Sequence, residues 1–124
     1  IAAKEPDGLI VRKPSQIFRQ MRSCENAKEE IEILGAYISS AVLVIDDLGT
    51  SKDTEFAVQT LYEIVDGRYM SMRGGLIITS NLSLARLAEK LNDDRIASRL
   101  SGMCRVIELS GADRRLKQRT DIDG

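Results

Sequence analysis

The segment spanning residues 41–49, AVLVIDDLG, constrains this chain more than any other: four consecutive aliphatics run straight into two aspartates. A short Val- and Ile-rich run of this kind predicts a strand buried on both faces at the centre of a parallel sheet. Such a strand delivers Asp46 and Asp47 to its C-terminal edge, where ligands collect in open α/β sheets. Paired acids at that edge suit phosphoryl transfer, in which one acid holds magnesium and the next orients or deprotonates the attacking water. Asp46 and Asp47 are the candidates for those two roles. An aspartate pair after a strand also serves to cap turns, so the motif gains its weight from what surrounds it.

Around this strand, short apolar runs alternate with longer segments of helical period, which predicts a three-layer α/β fold on a mainly parallel sheet. Leu9, Ile10 and Val11 form a first strand after the turn residue Gly8, and Pro14-Ser15 opens a helix with Ile17, Phe18 and Met21 on one side. Residues 25–39 predict a second helix with Ile31, Leu34 and Ile38 at helical spacing and acidic Glu29 and Glu30 near its start, as the helix dipole favours. Ala57, Leu61, Ile64 and Val65 mark the inner face of a longer helix that tolerates Gly67 and ends at Gly74-Gly75. Residues 76–79 predict a second doubly buried strand. Ser83 caps the next helix, with a Leu82–Leu87 staple and an inner face of Leu84, Leu87, Ala88 and Leu91. Asp93 or Asp94 caps a short helix stopped by Gly102, and residues 103–109 predict a last strand. Residues 1–117 are expected to form the core, with 118–124 a flexible charged tail.

Composition narrows the function. With 43% hydrophobic and 30% charged residues the chain can build an ordered core. Eighteen basic against nineteen acidic residues leave a net charge of -1, so a uniformly basic DNA-gripping surface is excluded and any nucleic-acid contact is local. The absence of histidine removes the usual zinc ligand and the commonest general base, and Cys24 and Cys104 have no metal-site spacing, so both thiols are read as reduced and structural. No apolar run reaches the ~20 residues needed to cross a bilayer and no export signal is visible, which predicts a cytoplasmic protein without membrane contact. The chain opens on Ile1, within what reads as the tail of a helix, and is therefore expected to have sequence upstream.

Three further clusters lie downstream of the acids. Asn81 follows the strand ending Thr-Ser-Asn and emerges at the same sheet edge, where an amide can hold water or a terminal phosphate; an asparagine there also makes an ordinary turn. Arg95 and Arg99 are four residues apart and share a helix face beside the apolar face of Ile96 and Leu100. They suit either a neighbouring subunit's γ-phosphate or a solvated face on which Arg95 pairs with nearby aspartates. Arg114-Arg115 follows the last strand.

IDDLGT, TSN, DDRIASRL and ADRRLK, in this order and spacing over residues 41–117, resemble the AAA+ ATPase domain of the DnaC-type bacterial helicase loaders. The resemblance implies a P-loop NTPase core with ATP and Mg2+ as cofactors. It makes Asp46-Asp47 the Walker B pair, Asn81 sensor 1, Arg99 the arginine finger and Arg115 the sensor 2 arginine, although Arg114 stands where the family commonly has an aromatic. It further implies a DNA replication protein that helps load a replicative helicase onto single-stranded DNA. The partners are then the helicase, through an N-terminal region absent from this sequence, single-stranded DNA, and further copies of the chain through the finger. Arg19 and Arg22, on one face of the first helix, are the expected DNA contacts, again from the resemblance more than from charge. Similarity to the IstB-type transposition helpers is weaker, because an acid pair ending in glutamate is more usual there.

The sequence contains no GxxxxGK[ST], so the backbone cradle and lysine that bind β- and γ-phosphates are missing, together with the first strand of such a core. These 124 residues alone are therefore expected to hydrolyse ATP poorly. A phosphoacceptor receiver domain is the main rival from another class. It disagrees in order, since receivers place the acid pair after the first strand and a lysine directly after the last.

Overall fold

A computed structural model describes residues 8–50, 54–72 and 74–109. Three strands and five helices alternate as β1 (Leu9–Arg12), α1 (Pro14–Arg22), α2 (Ala27–Ser39), β2 (Val42–Leu48), α3 (Glu55–Ser71), β3 (Gly75–Ser80), α4 (Leu84–Leu91) and α5 (Asp94–Met103). The strands form one parallel sheet in the order β1-β2-β3, so the acid-bearing strand is central as expected.

Local chemistry starts most of the helices where the sequence placed them. Pro14 occupies the first turn of α1, where its missing N–H costs nothing, and Gln16 Oε1 accepts from the Lys13 N–H at 2.8 Å. Asn26, Thr54, Ser83 and Asp93 cap α2 to α5 by accepting backbone N–H bonds from Glu29, Ala57, Arg86 and Arg95. Ile17, Phe18 and Met21 of α1, and Ala57, Leu61, Ile64 and Val65 of α3, all enter the core.

Several expectations are corrected. Each crossover steps the same way across the sheet, and the right-handed rule then puts both connections on one face. Ile10, Leu43 and Ile45 are accordingly buried, whereas Val11 and Ile77, in register on the opposite face, are 47% and 53% exposed. Among the described residues the sheet is thus covered on one face only, so β2 and β3 are not buried on both. On α2, Ile31 faces solvent at 70% exposure and Tyr37 takes the interior position, its hydroxyl donating to Gln20 Oε1. Gly102 does not end α5; it lies inside the helix against Tyr69, and the helix stops one residue later. No strand forms at 103–109: Met103 closes α5, and a cleft of about 300 Å³ lies between β3 and the segment carrying Val106, Ile107 and Leu109, which therefore makes no ladder with the outer edge of β3. The tail assigned to 118–124 lies outside the described residues.

At the opposite end from the acids, the helices and strands are tied by Arg68. Its side chain is almost wholly buried. Nη1 donates to Tyr37 O (2.8 Å), Ile38 O (3.1 Å) and Ser40 Oγ (3.2 Å), and Nη2 to Ser40 O (3.0 Å) and Gly75 O (2.8 Å). Burial pushes its pKa down, but a guanidinium holds its proton in proteins. The neighbouring glycines are fitted to it. Gly74 has φ +71°, and a Cβ there would lie 2.5 Å from Ala41 O and 2.8 Å from Arg68 Nη2. At Gly67 a Cβ would meet Ile38 Cδ1 at 2.6 Å, so this residue lets α2 and α3 approach.

Arg68→Met, which keeps the stem and strands these carbonyls, is expected to destabilise the chain by about 3 kcal/mol or more, since each orphaned buried acceptor costs roughly 1–3 kcal/mol. Urea unfolding measures it; a loss below about 0.5 kcal/mol, typical of a surface substitution, would show that Arg68 is not structural.

Candidate active site

The site is built by an irregularity in β2. Ile45 pairs with Ile78 and Leu48 with Ser80, so Asp46 and Asp47 together stand opposite the single residue Thr79. This two-against-one arrangement is a β-bulge, uncommon between parallel strands and typical of sites where a side chain is re-aimed. Asp47 absorbs it with φ 68°, a left-handed conformation that aspartate tolerates better than most residues.

Thr79 holds both acids. Its hydroxyl donates to Asp46 Oδ1 at 2.5 Å and accepts from the Asp47 backbone N–H at 2.8 Å. Thr50 Oγ1 donates to Asp47 O at 3.3 Å, Ser80 Oγ to Leu48 O at 2.6 Å, and Lys90 Nζ to Gly49 O. Gly49 itself has φ +91°, and Leu82 Cδ1 and Leu87 Cδ1 would lie 3.0 and 3.1 Å from a Cβ there, so the chain leaves the edge under the expected leucine pair. By strand alternation Asp46 and Thr79 lie on the face of Val44 and Ile77, the open face of the sheet.

Asp46 engages Thr79 through one carboxylate oxygen only. Its other oxygen and the Asp47 carboxylate are hard donors of the kind magnesium takes. Magnesium commonly uses one or two carboxylates and completes its shell with phosphate oxygens and water.

Asn81 lies just past the end of β3 and is exposed, at the same edge as the acids; the residue in contact with them is Thr79. Sequence reading stopped at the Thr-Ser-Asn triplet because only the register tells which of the three faces β2. Arg95 and Arg99 do share a face, which meets Tyr62, Asp66 and Tyr69 of α3. Arg95 pairs with Asp93 at 2.8 Å and lies 3.9 Å from the Tyr62 ring centroid. Arg99 Nε donates to Asp66 Oδ1 at 2.6 Å, and its guanidinium lies 5.1 and 5.8 Å from the Tyr62 and Tyr69 rings. These bonds to Asp93 and Asp66 raise the pKa of the respective arginine, while the bond from Arg95 holds Asp93 below the usual carboxylate range. Asp66 sits eleven residues after Glu55, the first residue of α3, about 16 Å along the helix. Arg115 falls outside the described residues.

On the other side, Arg19 and Arg22 are exposed on α1. Arg22 lies 5.9 Å from the ring centroid of Phe56, a 39% exposed aromatic in the first turn of α3 that sequence reading did not single out. Cys24 and Cys104 are free thiols whose pKa burial pushes up, as for unreactive cysteines. No helix among the described residues is long and apolar enough to cross a membrane.

Comparison with known proteins bears on this geometry. The chain is 34% identical over 121 residues to y4uH of Sinorhizobium fredii (strain NBRC 101917 / NGR234), named as an insertion sequence ATP-binding protein; the match takes in 92% of this chain and 47% of that protein. The chain thus spans about half the length of that curated relative. Among solved structures, the DnaC helicase loader superposes with a TM-score of 0.67 at 19% identity, over 83% of this chain and 63% of the other, which shows a shared P-loop NTPase fold. The DnaC likeness is thus borne out in the fold, and the receiver reading falls away. The IstB-like ATP binding protein family model matches residues 9–122, nearly the whole sequence, and the chain belongs to that family.

Proposed function

We propose that these residues form the acid-pair and arginine-bearing part of an ATPase that hydrolyses ATP in the service of an insertion sequence's DNA transactions. The observation that carries the hydrolytic reading is the bulge, which sets Asp46 and Asp47 side by side at the C-terminal rim with Thr79 bonded to both. In this reading Asp47 orients or deprotonates the attacking water, Asp46 is the metal-side acid, Thr79 keeps the two apart, and Asn81 holds the water or the terminal phosphate. Magnesium bound at Asp46 would neutralise charge on the phosphate oxygens. Arg115 is assigned to the nucleotide by resemblance. The phosphate cradle must come from residues outside this sequence, and the open sheet face with the cleft beside β3 gives a further strand and helix room to pack against the acid rim.

The insertion-sequence context is favoured by the y4uH relative. Loading of a replicative helicase onto single-stranded DNA, through an N-terminal region, is the second reading, favoured by the fold shared with DnaC. Two assays on the intact protein separate them: ATP-dependent stimulation of a cognate transposase on its DNA ends supports the first, and ATP-dependent delivery of a hexameric helicase to single strands supports the second.

Asp46→Asn and Asp47→Asn are each expected to abolish turnover in the intact protein, and Asp46→Asn additionally to weaken the magnesium dependence, because metal binding and water activation are separate tasks. Steady-state hydrolysis over a magnesium titration is the measurement. Full activity in either variant refutes the assignment.

For DNA, Arg19 and Arg22 offer charge and Phe56 beside Arg22 offers a stacking surface. Arg19→Ala with Arg22→Ala is expected to lower the slope of log affinity against log salt by about 1.4, roughly 0.7 per phosphate contact on a single strand. Phe56→Ala is expected to weaken binding by about 1–3 kcal/mol with the slope unchanged. An unaltered slope in the double arginine variant counts against this surface.

Arg99 is assigned to a neighbouring subunit's γ-phosphate. Arg99→Ala should retain ATP binding and lose hydrolysis by about 10³–10⁵-fold, as for an arginine acting in trans, where an exposed ion pair alone would change little. Mixed with Asp47→Asn subunits, Arg99→Ala subunits should regain activity. A mixture that stays dead although both variants fold and co-assemble places Arg99 on a solvated face instead.

A further inference from the structure

The stripe on α3 that meets Arg99 follows helical spacing: Tyr62, Asp66 and Tyr69 fall at i, i+4 and i+7, opposite Arg95 and Arg99 on α5. The Arg99–Asp66 pair is half-sheltered, with side chains 27% and 31% exposed. An arginine held only as a surface counter-ion has no need of two aromatic rings around it. Asp66 also takes the guanidinium in a particular way. It accepts from Nε alone, at 2.6 Å, and does not close the bidentate fork that arginine and carboxylate readily form. Among the described residues Nη1 reaches only Arg95 O, at 3.5 Å, and Nη2 has no hydrogen-bond partner. The two terminal nitrogens, which together can grip a phosphate, are left available while the rest of the group is fixed.

From this we infer that Asp66 is the positioning residue for Arg99: it anchors Nε against the Tyr62 and Tyr69 rings so that Nη1 and Nη2 are presented, already oriented, to an anion on an adjoining subunit. The inference rests on the assignment of Arg99 as a finger acting in trans. Its physical content is preorganisation. A free arginine side chain samples many rotamers and must be ordered at the moment of reaction, whereas one held by its Nε is ordered beforehand. Asp66 acts through its bond to Arg99, so its effect falls on the rate of the step that Arg99 assists and not on ATP binding.

The test uses Asp66→Ala and Asp66→Asn in the intact protein. Ala suits a partly exposed position on a helix. Asp66→Ala should lower kcat for assembly-dependent hydrolysis roughly tenfold or more with KM for ATP within about twofold, the pattern of an interaction made only in the transition state. Asp66→Asn, which keeps an acceptor oxygen for Nε, should recover most of that loss. In the intact protein, the Arg99 Nε–H resonance should be distinct and slow to exchange, and should move to the position of a solvated arginine in Asp66→Ala. An unchanged or raised kcat in Asp66→Ala, or an unshifted Nε–H resonance, overturns the inference. The finger reading survives that result provided Arg99→Ala still abolishes hydrolysis. Normal turnover by Arg99→Ala, by contrast, removes the finger and the role of Asp66 with it.

Discussion

Because Arg68 donates from the interior to carbonyls of Tyr37, Ile38, Ser40 and Gly75, the end of α2, the approach to β2 and the start of β3 are held by one side chain on α3. The last carbonyls of a helix have no partners within it, and α2 ends at Ser40 without the left-handed glycine that usually supplies them. A buried cation at that C-terminus answers both needs, hydrogen bonding and the helix dipole. The bond from the Gly75 N–H to Ala41 O, at 2.7 Å, fixes the first rung between β2 and β3 beside it. From that rung the register runs without interruption to Ile45 and Ile78, which is why Thr79 arrives opposite the acids. The geometry of the candidate site is thus set at the far end of the sheet.

At the acid rim the fold accepts local strain. An unbulged β2 would send Asp46 and Asp47 to opposite faces, since side chains alternate along a strand. The extra residue relaxes that alternation, at the cost of a left-handed Asp47, and conformations of this kind persist only where surrounding bonds over-determine them. The Thr79 hydroxyl, the Thr50 hydroxyl and the Ser80 bond to Leu48 O supply those bonds. A site arranged in advance in this way has less to reorganise during reaction.

How far the sequence could be read follows from which physical signals are local. Helix starts at Pro14, Ser83 and Asp93, the inner face of α3 and the central place of the acid strand all rest on spacing and capping within a few residues, and they were legible. The two-sided burial of β2 and β3 was not, because it depends on what covers a face, and the handedness of successive crossovers decides that only once strand order is known. Residues 103–109 carry a strand's composition but stand off from the edge of β3 across a cleft. At the proposed site, Asp46, Asp47, Asn81 and Arg99 are candidates that residue type and order could nominate. Thr79, Asp66, Tyr62 and Phe56 were not nominated because their contacts arise from register and from packing across 33 residues or so of chain, as in the Thr79–Asp46 and Arg99–Asp66 bonds.

The placement of these groups along α3 carries a consequence for assembly. Phe56, beside Arg22, lies in the first turn of α3, where the chain arrives from the acid rim, while Asp66 and Tyr69, which bracket Arg99, lie in its last turns. Ten residues, about 15 Å of helix, separate Phe56 from Asp66. In the proposed reading Arg99 serves the acid pair of a neighbouring subunit and not that of its own. That proposal has the neighbour's acid rim docking against the α3–α5 face. A single helix then links three events in the proposed reading: DNA contact at its start, nucleotide chemistry at the adjacent rim, and engagement of the next subunit near its end. Movement of α3 as a rigid body would be felt at all of them, and Gly67, where α2 presses closest on that helix, lies next to the residue that fastens it to the sheet.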